Sequence, residues 1–95
     1  MKKPFRIIIL ADNLSRLINR ILIVFNRRNL IIKSMNVCQG ESPDILHYTI
    51  DLECIEDQIN QLIKQIEKLI GVSRAFYHRS DTERSSKQIK TSVSL

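Results

Sequence analysis

The run Arg16-Leu17-Ile18-Asn19-Arg20-Ile21-Leu22-Ile23-Val24-Phe25-Asn26-Arg27-Arg28 has helical character, and a strand-like segment lies on each side of it. Phe5-Arg6-Ile7-Ile8-Ile9-Leu10-Ala11 precedes it and Leu30-Ile31-Ile32-Lys33-Ser34-Met35-Asn36-Val37 follows. A strand, a basic amphipathic helix and a second strand therefore lie within residues 5–37, and the second half of the chain repeats the theme. That pattern points to one compact domain of the kind that binds and regulates.

Ninety-five residues make one domain, not two. A chain this short buries only roughly 60–65% of its unfolded surface, so pairing through a sheet edge or a helix face is expected. The net charge of +5 is unevenly spread. Residues 1–33 hold eight Lys or Arg against the single acid Asp12, and the remainder holds seven bases against nine acids. The basic excess belongs to the first strand and helix. A solvated helix face explains it most simply; an anionic partner surface or nucleic acid is the sharper alternative.

Phe5–Ala11 is nearly all apolar, which suits a central strand, and residues 1–4 before it read as a leader. Asp12-Asn13 offers a turn and a helix N-cap. Apolar residues at 14, 17, 18, 21, 22 and 25 mark one helical face, and Asn29 is placed to end the helix in the left-handed conformation. Leu30–Cys38 is expected to be the second strand. The segment Gln39-Gly40-Glu41-Ser42-Pro43-Asp44 is a turn, and Ile45–Leu52 is a third strand with one wet face. Ile55–Ile70 keeps a helical period, with Gly71 after it, and Val72–His78 is the fourth strand. The domain is thus expected over residues 5–78. Residues 79–95 read as a polar, mobile C-terminal tail with at most one helical turn.

The order β-α-β-β-α-β, with the right-handed crossover rule, predicts a ferredoxin-like α+β domain. Four antiparallel strands form a sheet with two helices on one face.

Catalytic signals are sparse. His47 and His78 have no Cys or carboxylate at ligand spacing, and Cys38 and Cys54 form no C-x-x-C, so no metal site and no cofactor is expected. Cys38 lacks a local activating His, and two glycines do not make a phosphate loop. Asp51 and Glu53 share a strand face; an exposed acidic strand end is the simpler reading than a cation site. The strands that carry stacking aromatics in RNA-binding ferredoxin-like sheets show Ile8, Tyr48 and Ile50 here, with no aromatic pair, so RNA is not the expected partner. Met-Lys-Lys-Pro leads into too short an apolar run for a signal peptide, and no stretch reaches the length of a membrane span. The chain reads as cytoplasmic with reduced thiols.

Four segments together resemble one family. Phe25–Val37 is similar to a family segment reading Phe-x-Arg-Arg-x-x-Asn-Ile-Glu-Ser-Leu, and Leu17-Ile18-Asn19-Arg20-Ile21 to the Leu-Leu-x-Arg-Ile before it. His47-Tyr48-Thr49-Ile50 and Gln65-Ile66-Glu67-Lys68-Leu69-Ile70-Gly71-Val72 continue the likeness. In order and spacing they resemble the ACT domain of the small, regulatory subunit of acetolactate synthase. The resemblance implies a homodimer with sheets joined edge to edge and a branched-chain amino acid such as valine at the interface. It also implies a non-catalytic role modulating a thiamine-diphosphate-dependent large subunit in branched-chain amino-acid biosynthesis.

The effector loop departs from the family. The family reads Asn-x-x-Gly, whose backbone amides hold the amino-acid carboxylate; this chain reads Asn13-Leu14-Ser15-Arg16. The family Asn at the second strand is Ile31, and the Glu that follows is Lys33. The family's C-terminal domain has no counterpart in the sequence. Asn13, Arg16 and Ile31 are the candidate effector-binding positions, with the valine site expected to be degraded. A stand-alone dimeric ACT-type module without amino-acid sensing is the alternative.

Overall fold

The computed structural model describes residues 1–14 and 16–80. The elements run β1 (Lys3–Asp12), α1 (Leu17–Arg27), β2 (Ile32–Gln39), β3 (Ile45–Cys54), α2 (Glu56–Glu67) and β4 (Val72–Arg79). All pairings are antiparallel, in the order β2-β3-β1-β4, and this is the expected ferredoxin-like βαββαβ arrangement.

Alternation along the strands builds the core. Phe5, Ile7, Ile9 and Ala11 of β1 lie beside Tyr48, Ile50, Leu52 and Cys54 of β3, and all are buried. The helices close this face with Leu17, Ile21, Val24 and Phe25 from α1 and Ile59, Leu62, Ile63 and Ile66 from α2. The intervening residues, among them Arg6, Ile8, Leu10, His47, Thr49 and Phe76, occupy the face away from the helices.

Asn29 ends α1 as its sequence position suggested, with φ of 57°. The Leu30 N–H donates to the Phe25 carbonyl and the Asn29 N–H to that of Asn26, both at 3.1 Å. This is a Schellman motif, and the buried Phe25 and Leu30 side chains supply its apolar contact.

Several boundaries differ from expectation. Lys3 and Pro4 are not a leader; they open β1 opposite Cys54 and Glu53. Pro4 is tolerated there because its carbonyl, not its missing N–H, meets the neighbouring segment, accepting from the Ser80 N–H at 3.1 Å. α1 starts at Leu17, with Arg16 at the N-cap, because Asn13 is engaged elsewhere. α2 ends at Glu67 rather than Ile70, and Ile70 is 78% exposed. Tight turns replace the last helical turn, and Gly71, with φ of 101°, sits within the one that the Val72 N–H closes on the Leu69 carbonyl at 3.2 Å. β4 extends through Arg79, one residue into the expected tail, and residues 81–95 of that tail lie outside the described residues.

Candidate functional site

The loop between β1 and α1 is fixed from both sides. The Asn13 backbone N–H donates to the Asp44 carbonyl at 2.8 Å, and its side-chain amide donates to the Pro43 carbonyl at 3.0 Å. The Leu14 N–H turns back to the Asp12 carbonyl at 2.8 Å. Arg16 then starts α1 at φ −99° and ψ −5°, with no side-chain cap on the helix N-terminus. The first turn of α1 also holds no acid, so its positive dipole end is uncompensated by the helix itself.

A groove of about 250 Å³ opens here, lined by Leu14, Arg16, Leu17 and Arg20. Two leucines give it an apolar wall and two arginines, one helical turn apart, give it a cationic rim. Neither arginine is in an ion pair among the described residues. Gly71 lies behind the leucines: a Cβ there would meet Leu14 Cδ1 at 3.0 Å and Leu17 Cδ2 at 3.3 Å. The combination suits an anion with an apolar body, because arginine binds carboxylates in two-point fashion.

The three candidate positions do not converge in one chain. Asn13 and Arg16 flank the start of α1, whereas Ile31 lies beyond its far end, before the edge strand β2. An eleven-residue helix spans about 16 Å. Ile31 is 81% exposed and contributes nothing to the groove. Asn13 faces the β2–β3 turn. Arg20, which sequence reasoning passed over, lines the groove; its i, i+4 spacing from Arg16 was the available signal.

Other polar groups serve the fold. Asp51 accepts from Arg6 Nε at 2.7 Å, Arg6 Nη2 at 3.1 Å and Ser34 Oγ at 2.9 Å, and Lys33 pairs with Glu53 at 3.3 Å. The two carboxylates are thus neutralised by neighbouring cations, and among the described residues no group of His, Cys, Asp or Glu is arranged for a metal ion. Arg28 donates to Gln61 and Gln65, tying the end of α1 to α2. Both cysteines are free, Cys38 exposed and Cys54 buried. Burial pushes the Cys54 thiol up, partly offset by Lys2, and burial likewise pushes the Tyr48 phenol up. Neither group touches the groove.

The profile of the ACT domain matches residues 13–75, which takes in the groove and every element from α1 to the first half of β4. The chain belongs to the ACT domain family. ACT domains are regulatory and non-catalytic, and they commonly dimerise and bind amino acids. Solved structures share the ACT fold at low identity. The ACT domain of a GTP pyrophosphokinase from Chlorobium tepidum is 15% identical with a TM-score of 0.71, over 82% of this chain and 100% of that one. The acetolactate synthase small subunit from Thermotoga maritima is 24% identical with a TM-score of 0.72, over 79% of this chain and 47% of that one. A homoserine dehydrogenase from Thiobacillus denitrificans is 18% identical with a TM-score of 0.67, over 83% and 17%. No curated protein matches the chain. Among the described residues no helix is long and apolar enough to cross a membrane.

Proposed function

We propose that this ACT protein is a non-catalytic regulatory subunit that works as a homodimer and modulates an acetolactate synthase in branched-chain amino-acid biosynthesis. The observation that carries the reading is the set of segments shared with that enzyme's small subunit, above all Phe25–Val37, which forms the end of α1, its Schellman turn and most of the edge strand β2. The shared fold of the Thermotoga maritima small subunit supports it.

The split between Asn13 and Ile31 supports the dimer. β2 is an edge strand, mostly exposed along its length. Two copies joined antiparallel along β2 set the start of one strand beside the end of the other. Ile31 of one copy then approaches the β2–β3 turn of its mate, the turn that Asn13 holds. A site divided within one chain is completed across the pair.

Arg16 in that site replaces the small residue that lets a backbone approach a carboxylate, so the valine site is degraded. The same substitution favours the second reading, a stand-alone dimeric module without amino-acid sensing. Size-exclusion chromatography with the large catalytic subunit from the same cell separates the two. Co-elution supports the regulatory subunit; separate elution of an intact dimer supports the stand-alone module.

A further inference from the structure

The exposed side of α1 is one continuous stripe. Arg16, Asn19, Arg20, Ile23, Asn26 and Arg27 are all exposed, and their spacing places them along one side of the helix from its N-cap to its last turn. From Arg16 to Arg27 the stripe runs about 16 Å. It carries arginines, carboxamides and one isoleucine, and no acid. Among the described residues, Arg16, Arg20 and Arg27 form no ion pair and no side-chain hydrogen bond. Arg28, next in sequence, differs: it is half-buried and ties α1 to α2 through Gln61 and Gln65.

A helix face that serves only as a solvated surface mixes its charges. α2 does so, with Glu56 and Asp57 in its first turn and Lys64 and Glu67 near its end. α1 does the opposite. Arg16 and Arg20 stand one turn apart, where like charges repel, and both sit at the positive end of the helix dipole with no acid in the first turn. The fold gains nothing from these two charges and is slightly weakened by them. The residue type is specific as well. Every cation of the stripe is arginine, which binds carboxylates in two-point fashion. The groove of Leu14 and Leu17 beside Arg16 and Arg20 gives such a carboxylate's stem an apolar seat. Ile23, 46% exposed, offers a second apolar contact between Arg20 and Arg27.

We propose that this stripe is the surface through which the protein docks on its catalytic partner, and that the partner meets it with a row of Asp or Glu side chains around an apolar centre. The inference rests on the regulatory-subunit reading for the identity of that partner. Charge complementarity selects the occupant. A second copy of the chain would set arginines against arginines. A phosphate backbone would leave Ile23 without an apolar contact. The pairing of two copies along β2 is a sheet-edge contact, whereas the stripe lies on the side of α1 turned away from the sheet, so the two contacts are separate.

Surface plasmon resonance on the immobilised large catalytic subunit of the same cell tests it with three forms of the full chain. These are the unchanged protein, Arg20→Ala with Arg27→Ala, and Lys64→Ala with Lys68→Ala, which removes the same charge from α2. The arginine pair is expected to weaken binding at least about tenfold, and the lysine pair less than about twofold. The gap between the two pairs narrows as salt is raised. The melting temperature of the arginine pair stays level or rises, because these side chains hold nothing within the fold. Equal affinity of all three forms, or equal losses in the two pairs, overturns the proposal and leaves the regulatory-subunit reading standing. No binding by the unchanged protein overturns both. Arginine dependence seen with a DNA duplex or an RNA strand, or in self-association by light scattering, but not with the large subunit, gives the stripe to another occupant and overturns the proposal. A fall of several degrees in the melting temperature of the arginine pair also overturns it, because the arginines then serve the fold.

Discussion

Asn13 and Pro43 are joined by a 3.0 Å hydrogen bond from the Asn13 side-chain amide to the Pro43 carbonyl, across thirty residues of sequence. It fastens the loop that opens the groove to the turn that ends β2. Asn13→Ala is expected to destabilise the protein by about 1 kcal/mol. Asn13→Asp is expected to cost at least as much, since a carboxylate cannot donate to a carbonyl. Thermal melts at neutral pH check both.

Ile63→Asp is expected to unfold the domain, and Lys64→Ala to leave its melting temperature nearly unchanged. Ile63 is buried in the face of α2 that meets the sheet, and Lys64 is exposed beside it. Burying an unpaired carboxylate costs several kcal/mol, comparable to the whole stability of so small a domain. Circular dichroism melts of the two variants provide the comparison.

Gly71 combines a φ of 101° with close approach of Leu14 and Leu17. Gly71→Ala is expected to cost about 1–3 kcal/mol from backbone strain, and to push on the leucine wall of the groove. A urea titration that leaves the midpoint unmoved would show that the turn before β4 relaxes without cost.

Thiol chemistry follows burial. In the folded protein, Cys38 is expected to react with a thiol reagent at once and Cys54 only on unfolding. The raised Cys54 and Tyr48 values also set the sign of an alkaline effect. The unfolded chain ionises these groups at their ordinary values of 9.0 and 10.0, before the folded one does. Their contribution is therefore fully present below about pH 9 and falls away as pH rises. Tyr48→Phe is expected to flatten the upper part of that decline, measured as melting temperature against pH.

Much of this fold can be read from local pattern. The alternation of Tyr48, Ile50 and Leu52 and the placement of Asn29 follow from strand and cap chemistry alone. The start of α1 does not, because Asn13 is a good N-cap by type and only the distant Pro43 carbonyl diverts it. The end of α2 is hidden for a similar reason: Ile70 continues the apolar period, yet the chain must turn at 68–71 to reach β4. Arg20 of the groove stands in a run of basic residues that reads as an ordinary solvated face.

The groove predicts how amino acids behave. If Arg16 fills the space of the family's glycine, as proposed, valine, leucine and isoleucine are expected to give no binding heat at millimolar concentration. If the arginine instead clamps the carboxylate, heat appears and vanishes in Arg16→Ala. Heat that persists in Arg16→Ala contradicts both versions.

The most direct measurement is the rate of acetolactate formation by the large catalytic subunit of the same cell as this protein is titrated in. The account predicts a saturable rise in rate that valine does not reverse. A rate that stays flat through excess protein, with the two chains eluting apart, would contradict it.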